Sequence, residues 1–519
     1  MIHTPTLEFR VTAQENSGSL AAVADLFQAL HLRSVRYCHW KSNLRLEQAL
    51  QGRTDLDLLV DRKHSRVFRQ ILHELNLKPM LAPPGKRYPA IENYLGFDPP
   101  SGRLFHLHVH YQLVLGEQFV KNYRLPLEAQ FLDSVRLRHR IKIPAPELEI
   151  IVLSLRALLK YRDRDVLKDL LSIRSSGLPA HILQEFDHLL QQTTIGSIST
   201  PLADLADLAR GDVVQKFLET VTKSPRAGYT LYRLRLRARR ALRPYQRFNR
   251  LQAALQYFRE LWRRRKSFLK FLPSRNLTMS SGGVTLAVIG ADGAGKSTMC
   301  QLLAKWLAWK LDVHLFYLGS KQPSRRSELL YVLFRMARRS QRAMCRVLGE
   351  DNLFSRWIAG LRDGFLYAHH LSIGQDRYRR YVAGQKKAMA GSIVIYDRYP
   401  LESISARVEH RLLDGPQIPL TAHGETAAIA GAFARAEQNL YRKIRPPDYL
   451  FLLEVSPDVS LERKPDHKRA VVEAKSRAVS ELAALAELDT KKLRLIHLNA
   501  DLPLDEVVSQ LKTNVWEVL

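Results

Sequence analysis

Cysteine is scarce. The 519 residues contain three, Cys38, Cys300 and Cys345, far apart and in no CxxC or metal-ligand spacing, which excludes a disulfide scaffold and fits a reducing compartment. No stretch of about 18 apolar residues occurs, so no membrane span is expected. Met1 to Glu15 has no uninterrupted apolar core, so no signal peptide is expected either. Together these absences predict a cytoplasmic protein. No repeat or low-complexity tract is apparent. Acidic residues are the other shortage: 51 Asp and Glu face 80 Lys and Arg, a formal net charge of +29. Such an excess favours polyanionic partners, whether nucleic acid, anionic lipid or phosphorylated substrates, without choosing among them.

The shortage of acid is most acute from Arg233 to Arg275, where fifteen Arg and Lys meet one acid, Glu260. Leu231, Leu234, Ala238, Leu242, Tyr245, Phe248, Leu255, Phe258 and Trp262 recur there at helical spacing, which predicts a basic amphipathic helix interrupted near Pro244. It can lie on an anionic membrane, making the protein peripheral there, or grip nucleic acid. It can also be a connector docked by its apolar face, with arginine in water.

The remaining composition, 46% hydrophobic and 25% charged, is that of a globular protein, and the length calls for several domains. Residues 1–145 mix strand-like and helical patterns. Pro146 to Leu190 is helix-rich, with Leu148, Ile151, Leu155, Leu158 and Leu159 near helical spacing, which predicts a helical extension over 146–225, and 226–280 form the basic linker. The polar run Ser280 to Gly283 opens a further domain, 281–519. The fold class is α/β.

That last domain begins with an apolar strand, Val284 to Ile289, which runs directly into Gly290-Ala-Asp-Gly-Ala-Gly-Lys-Ser-Thr298. This is a GxxxxGK[ST] phosphate-binding loop. Gly290, Ala291, Asp292, Gly293, Ala294 and Gly295 turn backbone amides toward phosphate oxygens, and the helix from Lys296 through Thr298 presents its positive N-terminus. Lys296 neutralises the β and γ phosphates and Ser297 places a hydroxyl on Mg²⁺. ATP and Mg²⁺ are the expected cofactors.

Asp292 within the loop narrows the class, because Gly-x-Asp-Gly-Ala-Gly-Lys-Ser-Thr resembles the P-loop of thymidylate kinases and related nucleoside monophosphate kinases. Gly391 to Tyr399, with its Asp397-Arg398-Tyr399, resembles the second strand motif of that family. Pro447 to Val455 resembles its next strand, Ser456 to Lys464 the start of its lid, and Leu495 to Val508 its closing strand and helix. The resemblance implies a parallel sheet with a helical lid over about Val284 to Leu519. It also implies transfer of phosphate to a small phosphorylated acceptor. Asp397 holds the Mg²⁺ hydration shell or receives the acceptor proton, and Arg398 orients the acceptor phosphate. Arg463, Lys464, Lys468 and Arg469 lie where the family's lid closes over the transferring group. Val313 to Pro323 stands where thymidylate kinases carry Arg-Glu-Pro-Gly, so the acceptor is left open. A longer basic stretch with Arg325, Arg326, Arg335, Arg338, Arg339, Arg342 and Arg346 follows. Asp376-Arg-Tyr-Arg379 stands near the family's base-contacting arginine.

Near the N-terminus, Gly52 to Val60 places Asp55 and Asp57 two apart in an apolar run. On a strand both carboxylates face the same way, a spacing that suits Mg²⁺ ions holding an NTP. With Tyr37 to Asn43 upstream, the region resembles polymerase-beta-like nucleotidyltransferases over roughly Leu32 to Tyr111. It departs from them at Lys41-Ser42, where that superfamily opens a glycine-containing helix start, and at His108, where it has a third carboxylate. His106, His108 and His110 share one strand face, as a metal site or as an exposed polar face. Nucleotidyl transfer, or a retained fold that binds nucleotide or merely packs, are the two expectations for this domain. A nucleotide-regulated protein binding nucleic acid or anionic membrane is the alternative for the whole chain, and a nucleic-acid end kinase a third.

Overall fold

The computed structural model of the chain describes residues 18–116, 120–160, 178–194, 196–198, 213–223, 228–265, 276–349, 352–400, 415–419, 427–466, 468–488 and 494–519. Residues 266–275 of the basic segment lie outside them. The chain divides into two compact units, Met1–Ser274 and Arg275–Leu519. Among the described residues no helix is long and apolar enough to cross a membrane.

In the first unit the strands β1 (Tyr37–His39), β2 (Leu56–Val60), β3 (Lys78–Leu81), β4 (Ile91–Asp98) and β5 (Arg103–His110) lie in the order β1-β2-β5-β4-β3. Only β2 and β5 pair in parallel; the other neighbours are antiparallel. Helices α1 (Ala21–Leu32) and α2 (Ser65–Glu74) contribute Leu26, Phe27, Phe68 and Leu72 to a core shared with Leu56, Leu58, Leu107 and Val109 of the strands. Because side chains alternate along a strand, Leu59 points the other way. It joins a second core, with Cys38 and Trp40, against helices α3 (Pro146–Lys160), α4 (Ala180–Leu190), α5 (Val213–Lys223) and α6 (Gly228–Ala241). The helix-rich stretch is thus packed on the sheet.

The basic segment forms two helices. Pro244 sits in a short 3₁₀ turn, Arg243–Tyr245, between α6 and α7 (Arg250–Arg265). Along α6 the residues Leu231, Leu234, Ala238 and Leu242 are buried, so this helix is docked by its apolar stripe as a connector would be. Along α7 they are not.

The second unit is built on a five-stranded sheet of β6 (Val284–Gly290), β7 (Val313–Tyr317), β8 (Ile393–Asp397), β9 (Tyr449–Glu454) and β10 (Arg494–Asn499), in the order β7-β8-β6-β9-β10. Every pairing is parallel. Leu286 to Ile289, Ile393 to Tyr396 and Leu450 to Leu453 are buried without alternation, as in a parallel sheet covered on both faces. The helices are α8 (Lys296–Leu307), α9 (Arg325–Leu348), α10 (Leu353–Met389), α11 (Ala427–Tyr441), α12 (Pro457–Arg463), α13 (Arg469–Leu488) and α14 (Leu504–Val518). The basic stretch after Pro323 is α9, packed along α10. In an open parallel sheet ligands collect at the carboxyl ends of the strands. Here the pairing of Val288 with Asp397 and of Gly290 with Leu453 brings the ends of β6, β8 and β9 side by side.

Candidate active site

The loop leaving β6 needs its glycines. Gly290 has φ +154°, and a Cβ there would lie 2.4 Å from the Leu453 carbonyl oxygen on β9; Gly293 has φ +89° and lies against Ser460 of α12. Side chains are excluded at both, so the loop packs between β9 and α12. Lys296, the first residue of α8, is buried and folds back, donating from Nζ to the carbonyls of Gly290 at 2.9 Å and Ala291 at 2.6 Å.

Ser297 Oγ donates to Asp397 Oδ2 at 2.6 Å, joining residues 100 apart in the chain. Asp397 is buried at the end of β8, and its Oδ1 accepts no hydrogen bond from the described residues. A buried carboxylate oxygen without a donor is costly unless a cation or water takes it. The donor set, one hydroxyl and one carboxylate with an oxygen to spare beside a phosphate loop, fits a hard divalent cation such as Mg²⁺.

Asp292 gathers the cations. Its carboxylate accepts from Lys475 on α13, and Arg398 Nη2 and Lys296 Nζ stand 3.7 and 3.9 Å away. Burial alone would raise its pKa; the Lys475 hydrogen bond and the charges of Lys296 and Arg398 prevail and bring it to about 2. Arg398 reaches this position with φ +64°, a left-handed backbone that costs about 1 to 2 kcal/mol for a residue with a Cβ. Gly319 makes room: a Cβ on it would meet the Arg398 Cδ at 2.6 Å.

The two lid arginines point elsewhere. Arg463 donates to the Ala500 carbonyl at 2.9 Å, and Arg469 is exposed and pairs with Asp458 at 2.8 Å and Glu473 at 2.9 Å. Asp376 accepts from Ser324 N at 2.9 Å and Ser327 Oγ at 2.8 Å, fastening α10 to the start of α9, and Arg377 is buried against the Tyr441 hydroxyl. Asp376 and Arg377 hold helices together.

The paired aspartates of the first unit have separate partners. Asp55 Oδ1 meets His106 Nδ1 at 2.8 Å, whereas Asp57 Oδ1 meets Lys41 Nζ at 2.7 Å and His108 Nδ1 at 2.9 Å. Burial works to raise the Asp57 pKa, but Lys41 and His108 hold it well below the usual carboxylate range. Burial pushes His108 down to about 4 and His110 well below its ordinary value. The ligand atoms of Asp57, His108 and His110 lie within 4.8 Å of one another, a group to which Asp55 does not belong. The histidine row is not an exposed face: His110 is fully buried and His106 nearly so. The Ser42 and Asn43 amides donate to carboxylates, Ser42 to Glu185 at 3.0 Å and Asn43 to Glu149 at 3.3 Å.

No family model matches the chain. It is 25% identical over 234 residues to "Uncharacterized ATP-binding protein YghR" of Escherichia coli K12, covering 43% of this chain and 84% of that one. It is also 25% identical over 189 residues to "Probable thymidylate kinase 2" of Saccharolobus solfataricus, covering 36% of this chain and 67% of that one. Among solved structures, a deoxyadenosine kinase from M. mycoides with bound dCTP aligns with 45% of this chain and 100% of its own at 15% identity and a TM-score of 0.27. The chain contains a P-loop and is similar over part of its length to ATP-binding proteins and to a probable thymidylate kinase. None of these findings supports a nucleotidyltransferase-like domain.

In the second unit, then, Gly290 to Thr298, Asp397 and Arg398 come together, and Arg463 and Arg469 do not join them. Lys475 is the residue that sequence reasoning missed. It is the single lysine of α13, and nothing in its local sequence marks it; only the fold of α13 over the loop brings it to Asp292.

Proposed function

We propose that the second unit is an ATP- and Mg²⁺-dependent phosphotransferase acting on a nucleoside monophosphate or a related phosphorylated acceptor. The observation that carries this reading is the Ser297–Asp397 hydrogen bond beside the buried Lys296, with an Asp397 oxygen left over. The loop from Gly290 to Thr298 holds the triphosphate by its amides. Lys296 exchanges the Gly290 and Ala291 carbonyls for β and γ phosphate oxygens, and Ser297 and Asp397 hold Mg²⁺, which when bound offsets charge on the transferring group. Arg398, set by Asp292, orients the acceptor phosphate. Arg463 and Arg469 reach the transferring group once lid closure releases them from Ala500, Asp458 and Glu473.

The test is ADP release with ATP and Mg²⁺ as dTMP, other nucleoside monophosphates, sugar phosphates and oligonucleotide ends are added in turn. Acceptor-dependent release, reduced about a hundredfold or more in Lys296→Ala, supports the reading and names the acceptor. Release with oligonucleotide ends alone makes the protein an end kinase. ATP binding without release for any acceptor moves the reading to a nucleotide-regulated binding protein.

For the first unit, nucleotidyl transfer remains a reading because Asp57 offers a carboxylate with His108 and His110 beside it. Pyrophosphate release from an NTP that disappears in Asp57→Asn supports it, and no release with any NTP removes it.

A further inference from the structure

Helix α7 is amphipathic the wrong way round for a docked helix. Leu251, Leu255, Phe258 and Trp262, spaced four, three and four apart on one side, are 70%, 61%, 64% and 60% exposed. The opposite side is the one held in place: Glu260 is buried with its carboxylate beside Gly85, and Ala253, Gln256 and Tyr257 are half-buried along it. The turn before the helix is pinned as well. Asn122 donates to the Phe248 carbonyl at 2.9 Å and accepts from the Phe248 amide at 2.8 Å. The helix is therefore fixed by the side that carries Glu260 and presents the stripe from Leu251 to Trp262 outward.

Cations border that face. A cleft of about 1090 Å³ between α6 and α7 is lined by Arg235, Arg239, Arg240, Arg243 and Arg250, runs up to Tyr257 and Phe258, and has no acidic residue among the described residues of its wall. An apolar stripe beside an arginine-lined cleft is complementary to one kind of surface, in which acyl chains lie next to phosphate.

We propose that α7 lies in the plane of an anionic bilayer, with Leu251, Leu255, Phe258 and Trp262 in the boundary between headgroups and acyl chains and lipid phosphates in the arginine cleft. At 16 residues the helix is too short to span and long enough to lie in the surface. Nucleic acid would use the arginines but leave Leu251 and Leu255 in water, since only the aromatic pair can stack on bases. A second copy would bring two such arginine-rich arms together. The inference does not depend on the kinase reading.

The experiment is vesicle flotation of the full chain, with phosphatidylcholine vesicles and with vesicles in which roughly a third of the lipid is phosphatidylglycerol, at low and high salt. Leu255→Glu/Phe258→Glu and Arg240→Glu/Arg243→Glu variants run beside the wild type. Wild-type protein is expected to float with anionic vesicles at least about tenfold more strongly than with neutral ones, and less at high salt. Both variants lose that binding about tenfold or more while their thermal midpoints stay unchanged, because all four side chains are exposed. No flotation of the wild type, or flotation unaffected by the Leu255/Phe258 variant, overturns the proposal. So does oligonucleotide binding lost only with the arginines in the absence of vesicle binding. A dimer in sedimentation velocity that the Leu255/Phe258 variant dissociates, again without vesicle binding, assigns the stripe to self-association instead.

Discussion

Asp292 is half-buried and Glu149 buried, and their surroundings drive the two carboxyl groups in opposite directions. Asp292, in contact with Lys475 and near Lys296 and Arg398, stays ionised down to about pH 2, below the value near 3.9 of an unfolded aspartate. Its contribution to stability is present above about pH 3.9 and is lost as the pH falls through 2. Replacing Lys475 with Ala removes the hydrogen bond that fixes Asp292 beside Arg398, and kcat is expected to drop about tenfold or more with little change in the affinity for ATP, measured by steady-state kinetics and equilibrium binding. Glu149 is buried in the first unit, where it accepts hydrogen bonds from Asn43. Burial pushes it up to about 7, the hydrogen bonds from Asn43 pull the other way, and Glu185 adds to the rise. An unfolded glutamate loses its proton near pH 4.3, so the unfolded state gains on the folded one as the pH rises from about 4.3 to about 7. Glu149→Gln is expected to flatten the decline of the first unit's stability across that window, as followed by denaturant melts at successive pH values.

The P-loop was legible because its signal is contiguous: strand, glycines and helix start follow one another, and positive φ at Gly290, Gly293 and Gly295 is a local demand. Asp397 was legible as a motif at the end of an apolar strand. The elements that cover these strands were less so. Helix α10 runs 37 residues, and its approach to β8 depends on Gly384, where a Cβ would lie 2.2 Å from the Tyr396 hydroxyl. Gly384→Ala forces Tyr396 or the helix to move, an overpacking that costs about 1 to 3 kcal/mol; a lowered melting temperature for the second unit is the measurable result. The paired aspartates show the limit of strand alternation. It places Asp55 and Asp57 on one side of β2 but says nothing about what lies across from them. There the fold set His106 against Asp55, and Lys41 with His108 against Asp57.

With two compact units, each enclosing its own buried sheet, unfolding is not expected to be all-or-none. Differential scanning calorimetry should show two transitions. ATP with Mg²⁺ should raise only the one that Lys296→Ala leaves insensitive to nucleotide, by about 2.7 kcal/mol when ligand stands at a hundred times its dissociation constant. If both transitions move together, the units unfold as one.

Order along the chain established the phosphate loop, the aspartate pair and the concentration of cations between Arg233 and Arg275, because backbone dihedrals, strand and helix periods and net charge are short-range or additive properties. Partners distant in sequence were decided by folding alone. Lys475 reaches Asp292 across 183 positions, the Ser42 and Asn43 amides are taken by carboxylates from α3 and α4, and the two basic helices bury opposite faces. A helical period says which residues share a side, but which side is covered depends on the shape and charge of whatever packs there. For α7 that neighbour meets the side that carries Glu260, and the stripe from Leu251 to Trp262 is left facing outward.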